Sequence, residues 1–92
     1  MIYHLAARIG VGHILADPLS MVEEVADTRA VCDFARSSKA VLVYVSSSEV
    51  YGPLVNGPSR ETDAVSCLPS LLARGGYGVT KLWGEHCVLG YV

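Results

Sequence analysis

The run Ala40-Val41-Leu42-Val43-Tyr44-Val45 constrains this chain more than any other stretch. It is continuous, apolar and rich in β-branched residues, the pattern of a strand covered on both faces in a parallel sheet. The run stops abruptly at Ser46-Ser47-Ser48-Glu49. Ligands of open α/β sheets lie outside the carboxyl ends of the strands. Hydroxyls and a carboxylate gathered at that end therefore mark where chemistry is to be sought.

A parallel strand needs a neighbour and a crossover to reach it. Ile2-Tyr3-His4-Leu5-Ala6-Ala7 is short and apolar, and "RIGVGH" after it carries two glycines, which predicts a strand followed by a loop. Asp17-Pro18 supplies a helix start, an N-cap acid before proline at the first helical position. Leu19, Val22, Ala26, Ala30 and Phe34 follow at spacings of three and four and predict an apolar stripe packed on the sheet, with the helix ending near Ser37-Ser38-Lys39. Strand, helix and strand in this order favour a right-handed parallel crossover. From Gly52 to Gly76 the turns "GPLVNGPS", "CLPS" and "ARGG" predict a long loop, and loops of that length in compact domains usually carry function. Tyr77 to Tyr91 reads as a moderately amphipathic helix. The fold class is α/β.

The totals limit the possibilities further. A chain of 92 residues is at most one domain, and at that size folding buries only about 60–65% of the surface exposed by the unfolded chain. Yet 51% of the residues are hydrophobic and 17% charged, against about 25% charged in an average soluble domain. Such a composition suits the interior portion of a larger protein. The net charge of −2 comes from scattered residues, with no basic stripe for a phosphate backbone, so nucleic acid is not expected as a partner. Cys32, Cys67 and Cys87 have neither the spacing of a disulfide framework nor that of a metal site, and read as free thiols in a reducing cytoplasm. No apolar run approaches the length of a membrane span. His4 reads as a core or loop-bracing histidine, and Arg74 as a solvated loop residue.

The chemistry lies in the last third. "YGVTK" sets Tyr77 and Lys81 four residues apart, one turn from each other on one helical face. An ammonium beside a phenol favours the phenolate and makes tyrosine usable as a general base. A nearby serine hydroxyl could hold the same substrate oxygen. Taken alone, each signal is common: serines after strands form turns, and Y-x-x-x-K occurs on many helices where the tyrosine merely packs. The ordered set of "HLAA" at a strand end, "VSSSEVYG", a long loop and "YGVTK" opening a helix is far more specific.

That set resembles the NAD-dependent epimerase/dehydratase family of the extended short-chain dehydrogenase/reductases, whose members act on nucleotide sugars, and the likeness runs over nearly the whole chain. The resemblance implies a partial Rossmann-like, doubly wound parallel sheet, with residues 1–92 as the middle portion of the NAD-binding domain. It implies Ser47 and Glu49 as catalytic residues together with Tyr77 as base and Lys81, which also binds the nicotinamide ribose. Leu5, Ala6 and Ala7 would line the NAD cofactor, and no metal is implied. Glu49 within S-S-S-E-V-Y-G is similar to the acid of UDP-glucuronate decarboxylase-like members. The sugar 4-hydroxyl would be oxidised transiently, and decarboxylation, dehydration and epimerisation remain open as outcomes. A homodimer, in which Leu82, Trp83 and Val88 find a partner, and a cytoplasmic location are further implications.

The chain also departs from the family pattern. The glycine-rich phosphate-binding turn is absent, since "GVG" at Gly10 to Gly12 lacks a third glycine at the required spacing. The family's asparagine and later glycine before a threonine are missing from "EEVADT", which is one residue short. These departures predict that the isolated chain binds NAD poorly and has no turnover. The alternative is a non-catalytic remnant or interaction module that needs a separately encoded partner.

Overall fold

The computed structural model describes residues 1–52, 57–63 and 75–91. Two strands, β1 (Ile2–His4) and β2 (Leu42–Tyr44), pair in parallel with Ile2 opposite Leu42, Tyr3 opposite Val43 and His4 opposite Tyr44. Between them run a short helix α1 (Val11–Ala16) and the long helix α2 (Ser20–Ser37); after them come a 3-10 turn (Ser48–Tyr51) and helix α3 (Gly75–Gly90). The element order is the α/β crossover expected from the sequence. Helix α1 was not: "RIGVGH" reads as a loop because of its glycines, and only Gly10, at φ 104, lies outside the helix as its N-cap.

Helix α2 starts later than the Asp17-Pro18 signal suggests. Asp17 and Pro18 form a turn instead, in which the Asp17 carbonyl accepts from both the amide and the hydroxyl of Ser20, at 3.2 and 2.7 Å. The helix ends as expected. Lys39 takes up a left-handed conformation at φ 53, and Ser38 Oγ donates to the Phe34 carbonyl at 2.7 Å, satisfying an acceptor of the last turn.

The face that α2 buries is not the expected one. Leu19, Val22, Ala26, Ala30 and Phe34 are all exposed, Leu19 by 75% and Phe34 by 63%. The buried residues are Ser20, Met21, Glu24, Thr28, Cys32 and Ala35, which recur at the same helical period about a third to half a turn away. These residues pack chiefly on α3 and on His4 of β1. Two polar attachments hold that rotation: Thr28 Oγ1 lies 3.2 Å from His4 Nε2, and Glu24 meets Lys81 of α3. Hydrophobicity alone ranks the other stripe higher, but hydrogen bonds and an ion pair sealed in the seam outweigh it.

The strands show a related difference. His4 and Tyr44 face the helices, whereas Tyr3, Val41, Val43 and Val45 on the opposite face are 63%, 61%, 36% and 45% exposed. The continuous apolar run thus has one covered face among the described residues, because α2 and α3 both lie on the same side. The long-loop segments 53–56 and 64–74, with Cys67 and Arg74, lie outside the described residues. Cys32 and Cys87 are free thiols whose sulfurs approach to 3.8 Å across the α2–α3 seam. Among the described residues no helix is long and apolar enough to cross a membrane.

Candidate active site

The carboxyl end of β2 delivers the serines to a tight turn. Ser47 is extended at φ −145 and caps the 3-10 turn, its Oγ accepting from the Glu49 amide at 3.2 Å. Accepting there leaves the hydroxyl proton of Ser47 able to donate elsewhere. Ser46 points to α3 and its Oγ donates to Glu85 Oε1. The turn closes at Gly52, where φ 75 is a conformation that favours glycine.

Helix α3 presses directly on this turn. A Cβ on Gly78 would sit 3.0 Å from the Glu49 carbonyl oxygen, so only a glycine lets the helix come this close. Nearly two turns on, Gly84 faces Tyr44, and a Cβ there would run into the tyrosine hydroxyl. The two glycines bring the first turn of α3, which carries Tyr77, against the backbone of the Ser47–Glu49 turn.

Lys81 is the centre of the arrangement. The residue is 2% exposed; its Nζ donates to the Val45 carbonyl at 3.3 Å and lies 3.5 Å from Glu24 Oε1. Two tyrosine rings flank the ammonium, Tyr44 at 5.1 Å and Tyr77 at 5.8 Å from Nζ to the ring centre, both within cation–π range. Burial, reinforced by the Glu24 carboxylate, pushes the Tyr44 phenol up to about 12, so Tyr44 remains protonated and packs against His4 at 5.6 Å between ring centres. Tyr77, at the start of α3, is half-buried, as Tyr44 is.

The structure therefore joins Tyr77 with Lys81 and sets the turn holding Ser47 and Glu49 against the same helix. Leu5, Ala6 and Ala7 follow β1 at the corresponding carboxyl end, with Leu5 64% exposed, Ala6 exposed and Ala7 half-buried. Uncovered apolar side chains at a strand end fit the face of a flat ring such as nicotinamide, so these residues suit the cofactor implied by the sequence. A cleft of about 430 Å³ opens beside Ser46 and Glu85, walled by Tyr44, Val50, Tyr51 and Leu89. Among the described residues no three His, Cys, Asp or Glu side chains are grouped to hold a metal ion.

Sequence reasoning missed two contributors, Glu24 and Glu85, and gave Ser46 no role of its own. A signal for Glu24 existed, because it shares a helical face with Met21, Thr28, Cys32 and Ala35, and a carboxylate within such a face demands a cation. Glu85 lies one turn beyond Lys81, on the same face as Tyr77 and Lys81.

The NAD dependent epimerase/dehydratase family matches residues 1–92. A UDP-N-acetyl-alpha-D-glucosaminuronate decarboxylase from Bacillus cytotoxicus is 30% identical over 92 residues, covering 99% of this chain and 28% of that protein. No solved structure matches. The chain spans less than a third of the length of this curated relative. With a strand-end serine turn, a Tyr77–Lys81 pair beside it and the family match running from the first residue to the last, the chain belongs to the NAD-dependent epimerase/dehydratase family.

Proposed function

We propose that this chain carries the proton-handling part of a nucleotide-sugar enzyme of the decarboxylase type, working on a UDP-hexuronate with NAD in a cytoplasmic, homodimeric protein. The observation that carries the reading is the buried ammonium of Lys81 beneath the half-buried Tyr77 ring, against a Tyr44 that burial keeps protonated.

In this reading, the Tyr77 phenolate takes the proton of the sugar 4-hydroxyl while Ser47 donates a hydrogen bond to the same oxygen. Bound NAD supplies the chemistry of accepting and returning a hydride at that carbon. Leu5, Ala6 and Ala7 pack against its ring, and Lys81 steadies the phenolate. A ketone at C4 lies β to a hexuronate carboxylate, so the electrons of the breaking carbon–carbon bond have somewhere to go as carbon dioxide leaves. Glu49, on the turn pressed against α3, would relay a proton back to the sugar. The 30% identical decarboxylase relative supports this outcome over dehydration or epimerisation.

The reading is tested by placing this segment in the corresponding part of the Bacillus cytotoxicus decarboxylase and following carbon dioxide release from UDP-hexuronates. The chimera is expected to be active only with NAD, and Tyr77→Phe to lower its rate by about 100-fold or more, the usual share of a general base. A folded chimera indifferent to Tyr77→Phe would remove the assignment.

A further inference from the structure

Glu24 has no part in the chemistry above, yet it is among the most deeply buried polar residues of the chain, at 4% exposure. Its two oxygens are used separately: Oε2 accepts from the Arg8 amide at 2.9 Å, and Oε1 faces Lys81 Nζ at 3.5 Å. The Arg8 guanidinium turns away to Glu23 at 2.7 Å, on the surface. Among the described residues the cation for Glu24 is Lys81, and both side chains are sealed, 5% and 3% exposed.

A buried ammonium needs a compensating charge, or it sheds its proton. The other partners of Lys81 among the described residues cannot provide one: the Val45 carbonyl offers a dipole, and the Tyr44 and Tyr77 rings offer only their π faces. The titratable and charged groups gathered about this point are His4 from β1, Glu24 and Asp27 from α2, Tyr44 from β2, Glu49 from the 3-10 turn, and Tyr77 and Glu85 from α3. Of the carboxylates, Glu24 is the one in ion-pair contact with the ammonium, whereas Glu85 accepts from Ser46.

We propose that Glu24 is a positioning residue for the Tyr77–Lys81 pair, a buried counter-ion reaching from α2 that holds the Lys81 ammonium charged and fixed under the Tyr77 ring. The inference rests on the assignment of Tyr77 as base for its functional meaning, but not for its physical content. It makes α2 part of the machinery: a helix whose apolar stripe is exposed sets, from its opposite face, the charge that the phenol experiences.

The test exploits composition. The full chain has two lysines, Lys39, which is exposed, and Lys81. With lysine labelled at 13Cε, each titrates as a separate signal, and Lys39 serves as the internal standard. Relative to the unsubstituted chain, Glu24→Gln is expected to lower the Lys81 midpoint by about one pH unit or more, as befits a buried ammonium without its counter-ion, and to leave Lys39 in place. Glu24→Asp, which keeps the charge on a shorter stem, should recover most of the shift. An unchanged Lys81 midpoint in folded Glu24→Gln would overturn the proposal. If that variant loses its helical circular dichroism, Glu24→Met, which removes the charge and keeps the volume, takes its place: a lowered Lys81 midpoint supports the counter-ion role, and an unchanged one overturns it. Neither cofactor nor sugar is needed, so a Lys81 shift in a chain indifferent to Tyr77→Phe would retain the ion pair and sink only the catalytic reading.

Discussion

His4 shows how a single residue links the strand to the helical seam. Burial is the main cause that lowers its proton affinity below the ordinary 6.5, with the Lys81 charge adding to it and the Glu24 and Asp27 carboxylates opposing. The sign of the pH effect follows. Above about 6.5 the imidazole is neutral in both folded and unfolded chains, and its contribution is fully present. As pH falls below 6.5 toward the depressed folded value, the unfolded chain binds the proton first and stability declines, by at most about 1.4 kcal/mol per pH unit for one proton. Urea unfolding between pH 5 and 7 should show that decline, and His4→Gln should flatten it; an identical slope in the variant would assign the effect to another group. At this scale the sequence was readable where chemistry is local. Tyr77 and Lys81 lie one turn apart on any helix, so their proximity was legible, and Ser46 to Glu49 were bound to fall at a strand end. Glu24 was not, because its partner is 57 positions away (81 − 24) and only packing brings the two together.

Among the elements, the contact of α3 with the sheet depends on glycines that composition alone presents as weak helix formers. Gly84 is the sharper case. Alanine would favour the helix by about 1 kcal/mol through propensity, but its methyl group would collide with the Tyr44 hydroxyl and ring, which the His4 ring and Lys81 hem in. Overpacking of this kind costs about 1–3 kcal/mol, so Gly84→Ala is expected to be net destabilising, with a lower denaturation midpoint. Truncation of Tyr44 to Phe in the same chain should relieve part of the loss. A Gly84→Ala chain as stable as its parent would mean that α3 does not approach β2 this closely. The existence and order of the main elements were legible from periodicity and turn residues. The rotation of α2 was not, since a helical stripe announces which residues are apolar but not which neighbour will claim the opposite face. Here Thr28 and Glu24 found partners in His4 and Lys81, and the more hydrophobic stripe was left outward.

On the scale of the whole molecule, the consequence is a large uncovered apolar surface. The α2 stripe of Leu19, Val22 and Phe34, the sheet face of Tyr3, Val41 and Val45, and Val79, Trp83 and Leu89 of α3 are all exposed, beyond the scattered apolar residues usual on a monomer. The chain is expected to self-associate at micromolar concentration, as judged by sedimentation velocity. Replacing Val22 and Phe34 by lysine should shift the distribution toward smaller species without loss of helical signal, whereas a sharp monomer for the unsubstituted chain would show that this surface is tolerated in water.

What the sequence by itself determined was the α/β character, the strand that ends in serines, and the residues able to do acid–base work, because these follow from periodicity and from spacings of a few residues. Only the tertiary structure decided which face of α2 is buried, that burial keeps Tyr44 protonated beside Lys81, and which carboxylate balances the lysine. Those are outcomes of contacts between residues far apart in the chain, where burial changes the energy of a charge far more than any local pattern does.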